Sequence, residues 1–80
     1  MDNEEIPVIT VTGTIRLGQL LKLANLVEDG GEARAAIQGG FVYIDDEQCT
    51  QRGKQLQDGQ IVSLDFEDYL ESVQVEILPE

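Results

Sequence analysis

Five side chains in this sequence carry a fixed positive charge, Arg16, Lys22, Arg34, Arg52 and Lys54, and all of them fall between residues 14 and 64. The chemistry open to such a set is anion recognition. A guanidinium can fork onto two phosphate oxygens or stack on an unpaired base, and an ammonium supplies a mobile point charge. The remaining reactive inventory is thin. There is no His and a single Cys, Cys49, which excludes Ser-His-Asp and Cys-His nucleophile pairs, imidazole metal ligands, a zinc cage and an internal disulfide. Cys49 sits among polar neighbours and reads as an unreactive thiol. Asp45, Asp46 and Glu47 lack the spacing of a calcium loop and read as a solvated turn. No cofactor and no metal is expected, and no motif makes a case for an enzyme.

The charge is unevenly placed. The chain of 80 residues holds 16 Asp and Glu against five Lys and Arg, a formal net charge of −11. Residues 1–13 contribute three acids (Asp2, Glu4, Glu5) and residues 65–80 six (Asp65, Glu67, Asp68, Glu71, Glu76, Glu80), with no base in either flank. The middle holds seven acids and all five bases, a balance of only −2. Any surface for a polyanion must therefore lie in the middle, although five bases in a chain this size are by composition alone ordinary solvated surface.

The elements that must position these bases follow from periodicity. Residues 6–12 (IPVITVT) are rich in β-branched residues and predict a strand, with Pro7 suited to its start or to an edge. Leu17, Leu20, Leu21 and Ala24 recur at helical spacing and predict a helix over about 15–25, with Thr14 as N-cap. After a Glu28–Gly31 turn, Ala33, Ala36 and Ile37 predict a second helix over about 31–38, closed by a left-handed Gly39 or Gly40. Residues 41–44 predict a strand, Asp45-Asp46 a tight turn and residues 47–50 the return strand of a hairpin. Residues 51–60 read as polar loop, and 61–66 and 73–77 as half-buried strands joined by an acidic connection over Glu67–Ser72. The fold class is α+β, two short helices packed on a small, mainly antiparallel sheet. With 41% hydrophobic residues one small domain spanning 1–80 is expected, since a chain this short buries only roughly two-thirds of its unfolded surface. No apolar run approaches the ~18 residues of a membrane span, and an acidic rather than basic N-terminus argues against a signal peptide. A cytoplasmic location is expected, in keeping with one lone thiol.

Set in order, the segments Ile15-Arg-Leu-Gly-Gln-Leu-Leu-Lys22-Leu-Ala, Gly30-Gly-Glu-Ala-Arg34, Gly40-Phe-Val-Tyr-Ile-Asp45, Thr50-Gln-Arg52-Gly-Lys54 and Asp58-Gly59-Gln-Ile-Val62 resemble the S-four RNA-binding domain, the module named after small-subunit ribosomal protein four. The likeness is to the small stand-alone bacterial branch of that family and covers roughly residues 8–78. It implies an αL motif over about 14–64, in which two helices and the following hairpin present a basic face to structured RNA. Carried over by position, Arg16 and Lys22 fall on the first helix, Arg34 on the second, and Arg52 and Lys54 on the loop after the hairpin. Every base of an otherwise acidic chain thus lands on a motif position, which favours a binding role over incidental surface charge.

The resemblance implies non-catalytic binding of structured RNA, with ribosomal RNA or the ribosome as candidates, mostly through phosphate contacts and shape. Sequence-specific DNA binding and membrane association are not expected. Gln51 and Gln55 stand where the family commonly has further bases, which removes two potential phosphate contacts. Tyr43 offers a base-stacking surface but reads better as a packed strand residue. The alternative is a protein-interaction module on the same fold, whose acidic flanks recruit a basic protein partner.

Overall fold

The computed structural model describes residues 6–80, so Asp2, Glu4 and Glu5 of the acidic N-terminal flank lie outside it. The chain runs β1 (Val8–Thr12), α1 (Leu17–Leu23), α2 (Gly30–Gln38), β2 (Val42–Ile44), β3 (Glu47–Gln48), β4 (Ile61–Phe66) and β5 (Tyr69–Leu78). The strands form one sheet in the order β1-β5-β4-β2-β3. Three of its four pairings are antiparallel, and β1 lies parallel to β5 with Ile9 opposite Val75. The fold is α+β with a mixed, mostly antiparallel sheet.

Register places the core. Val42 lies opposite Leu64, Ile44 opposite Val62, and Val62 opposite Val73, so these residues share one sheet face and all are buried. Against that face pack Leu17, Leu20 and Leu21 of α1 and Ala33, Ala36 and Ile37 of α2 in a single cluster. These are the residues whose spacing predicted the two amphipathic stripes. Tyr43 points to the opposite face, half-buried, with Ser63 as its cross-strand neighbour.

Both helices end in the same way. Asn25 adopts φ 60° and donates to Lys22 O at 3.1 Å while Leu26 donates to Leu21 O at 3.0 Å. Gly40 adopts φ 88° and donates to Ile37 O at 3.1 Å while Phe41 donates to Ala36 O at 3.1 Å. Each is a left-handed Schellman cap, and Gly40 rather than Gly39 is the left-handed residue of the second. In the β2–β3 hairpin Asp45 and Asp46 have φ of 51° and 71°, the two positive values that a type I′ turn demands and that Asp tolerates.

Three expectations need correction. Thr14 is not the N-cap of α1; Arg16 is, because the start of the helix is satisfied from elsewhere in the chain, as described below. The return strand of the first hairpin stops at Gln48, and Cys49 adds one further bond to Val42 O at 2.9 Å. Glu67–Ser72 is not a connection. Only Glu67 and Asp68 form the turn, and Tyr69–Ser72 pair with Phe66–Ser63 as the outer half of a β4–β5 hairpin. The two serine hydroxyls, Ser63 and Ser72, meet at 2.8 Å. This end of the hairpin overhangs the core, with Leu70 63% exposed, so no alternation of burial marks it as strand.

Candidate nucleic-acid interface

The loop that carries Arg52 and Lys54 is docked on the start of α1 by main-chain bonds. Leu17 N–H donates to Lys54 O at 2.8 Å and Gly18 N–H to Arg52 O at 3.1 Å. Those are two of the orphan donors that every helix N-terminus exposes, so the loop does the work expected of a Thr14 side chain. Arg16 closes the junction from the helix side. Its guanidinium donates to Gly53 O at 2.6 Å, and its own N–H is taken by Gln19 Oε1 at 3.0 Å. Arg16 also bridges to Gln55 across the junction, and Leu56 N–H donates to Ile15 O at 2.9 Å.

Two residues without polar side chains make this docking possible, and neither stood out in the sequence. Leu56 is 2% exposed, an apolar anchor within a run of polar residues. Gly18 is buried in α1, and a Cβ there would lie 2.8 Å from Arg52 Cγ, closer than such contacts allow. A lone Leu in an otherwise polar loop and a Gly inside a helical stripe were the available signals. In Gly18→Ala the amide signals of residues 51–55 shift in NMR spectra, because the loop must move. The melting temperature changes by less than about 5 °C, since alanine's helix preference of about 0.5–1 kcal/mol offsets the displacement. Unmoved loop signals would show that helix and loop are not in the contact described.

The docking gathers the bases. Arg16, Lys22, Arg34 and Arg52 line one open cleft of about 480 Å³ together with Gly18, Gln19, Gly30, Gly31, Ala33 and Gly53. All four side chains are exposed, and they arrive from α1, α2 and the loop, three segments brought together only by folding. Lys54 lies on the other side of the loop, in a depression shared with Asp45, Glu47, Gln48 and Cys49. It is the one base that the structure separates from the rest.

At the start of α2 the acids turn inward on the backbone. Asp29 Oδ1 accepts from Glu32 N–H at 2.8 Å and Glu32 Oε1 from Glu28 N–H at 2.6 Å, an N-cap with the carboxylates that favour a helix N-terminus. Gly30 and Gly31 therefore behave as an ordinary helix start. A Cβ at Gly30 would meet nothing within 4 Å, so the pair leaves the rim of the basic cleft low without holding a strained backbone. Tyr43, on the sheet face away from the helices, offers no stacking surface to a ligand in this cleft.

The cleft, the loop that builds it and most of the sheet lie within residues 9–71, the segment that matches the sequence profile of the S4 domain. One relative from Bacillus subtilis (strain 168), a "Probable ribosome maturation protein RlbA", is 36% identical over 59 residues, covering 74% of this chain and 83% of that protein. A profile match over most of the chain and a relative of nearly its own length agree with the order of motifs and with the way they converge on one cleft: this chain belongs to the S4 domain family.

Proposed function

We propose that this protein binds structured RNA without catalysis, in the cytoplasm, and that it does so through Arg16, Lys22, Arg34 and Arg52, with Lys54 as a peripheral contact. The observation that carries the reading is the convergence of four of the chain's five bases on one cleft while the rest of the molecule is acidic. On this reading α1, α2 and the β2–β3 hairpin with its following loop act as the αL motif. An open cleft lined by charged side chains from three segments of the chain suits a sugar-phosphate backbone, recognised by position and shape rather than by base identity. The name of the Bacillus subtilis relative directs the choice of RNA toward the ribosome, with ribosomal RNA on a maturing subunit as the first candidate.

The acidic remainder has a role in the same proposal. Like-charge repulsion lowers the affinity for RNA in general and leaves binding to those sites whose shape lets the cleft engage while the flanks stay clear. With at most five phosphate contacts, log K for a structured RNA falls with log salt concentration at a slope of roughly −3 to −4.5. A titration of a ribosomal RNA hairpin at several salt concentrations, followed by the amide signals of residues 16–54, checks both slope and site. Affinity independent of salt, or shifts outside those residues only, would refute the proposal.

A further inference from the structure

At the other end of α2 from the basic cleft, three of the chain's four aromatic residues form an exposed shelf. Phe41 and Phe66 have ring centroids 4.8 Å apart, and Phe66 and Tyr69 5.4 Å, both tilted. Phe41 lies over the end of the helix, where a Cβ on Gly39 would stand 2.8 Å from its ring, so the glycine is what lets the ring settle there. Phe66 and Tyr69 are cross-strand partners at the tip of the β4–β5 hairpin. Only part of this aromatic surface is covered. Phe41 is 37% and Tyr69 46% exposed, and together with Phe66 they line an open groove of about 410 Å³ whose other walls are Glu67 and Asp68.

Aromatic faces rimmed by carboxylates suit one kind of occupant. The π-faces attract a planar cation and the carboxylates fork onto it. Residues 55–80 contain no Lys or Arg, so the chain supplies no nearby base from that stretch to satisfy the rim. The same carboxylates oppose a phosphate backbone, which separates this groove from the RNA cleft by charge. The two lie toward opposite ends of α2, the cleft taking Gly30, Gly31, Ala33 and Arg34 of its first half and the shelf beginning at Phe41 past its last residue.

We propose that the Phe41–Phe66–Tyr69 shelf is a docking site for an arginine-rich segment of a partner protein. The molecule then has two poles, a basic cleft at the start of α2 and an acidic aromatic groove at its end. It can hold an RNA and a basic protein at once, and the second pole stands whether or not the first binds RNA. The site is small, so the contact is weak and transient on its own and gains strength when the RNA holds the partner close.

The test is an NMR titration of the full chain with an arginine-rich peptide free of acidic residues, and with the lysine peptide of equal length. Saturable shifts of the Phe41, Phe66 and Tyr69 ring signals and of the Glu67 and Asp68 amides are expected, stronger for arginine, whose plane stacks on rings where ammonium cannot. Tyr69→Leu, and separately Glu67→Gln with Asp68→Asn, each weaken binding about two- to fivefold. The second variant changes charge alone at an exposed turn and carries the test if Tyr69→Leu proves unstable. Equal shifts at the acidic Asp45–Glu47 tip, with neither variant weakening the shelf, would reduce the effect to general charge attraction and overturn the proposal. So would an RNA hairpin that moves the shelf signals more than the peptide does.

Discussion

Replacing Arg34 and Arg52 together by Ala lowers affinity for a structured RNA roughly 25- to 60-fold at about 0.1 M salt and flattens the salt dependence by about 1.4 to 1.8 in slope. Each phosphate contact releases about 0.7 to 0.9 of a counterion, so at that salt concentration it multiplies affinity roughly five- to eightfold. Both side chains are exposed on the rim of the cleft, one from α2 and one from the loop, so their loss removes charge from two sides without opening the core. Stability stays within about 0.5 kcal/mol of the parent. Fluorescence anisotropy of a labelled RNA hairpin at several salt concentrations measures affinity and slope together. Lower affinity at an unchanged slope would mean that these arginines act otherwise than through phosphate. Lys54→Ala is the internal comparison. It sits beside Asp45 and Glu47, across the loop from the cleft, and its removal costs less than that of either arginine.

The double substitution also separates the two roles that Arg16 combines. Arg16 lines the cleft, but its guanidinium donates to Gly53 O, so its removal would loosen the loop and the charge array together. Among the described residues neither the Arg34 nor the Arg52 side chain bonds the loop backbone in this way, which makes the two the cleaner probes of charge.

What the sequence made legible was what local periodicity and turn chemistry determine. The stripes Leu17-Leu20-Leu21 and Ala33-Ala36-Ile37 are buried as their spacing requires, and the Asp45-Asp46 turn and the Gly40 cap follow from the few residues that tolerate positive φ. Illegible were features decided by residues far apart in the chain. Nothing within residues 8–12 says that they will run parallel to β5. Thr14 has the hydroxyl of a good cap, yet the helix donors of Gly18 and Leu17 are taken by the carbonyls of Arg52 and Lys54, 34 and 37 residues further along the chain. The outer half of the β4–β5 hairpin projects past the core and so carries no alternation to read. The five bases were legible as a set only through the order of the motifs. That four share a cleft and Lys54 does not depends on how one loop is seated.

That seating gives the second large effect. Leu56→Ala destabilises the protein by about 2 to 5 kcal/mol, out of a total of roughly 4 to 12 kcal/mol for a domain of this length, and lowers the melting temperature by at least about 10 °C. Leu56 is 2% exposed and belongs to the same cluster as Leu17 and Leu20, and its N–H is bonded to Ile15 O. It is therefore the point at which the polar loop is held to the core, next to the carbonyls that receive α1. Losing it frees the loop before it unfolds the sheet, so RNA affinity falls roughly fivefold or more, the worth of at least one phosphate contact, even at temperatures where the protein remains folded. Leu64→Ala provides the contrast. Leu64 is as fully buried, in β4, and removing it costs comparable stability by the same cavity argument, but it holds no part of the cleft and leaves affinity within about twofold. Melting curves and RNA titrations of the two variants at a temperature well below both midpoints measure the difference. Equal losses of affinity in both would show that the cleft depends on overall stability, whereas a loss confined to Leu56→Ala identifies this one apolar residue as what keeps Arg52 opposite Arg34.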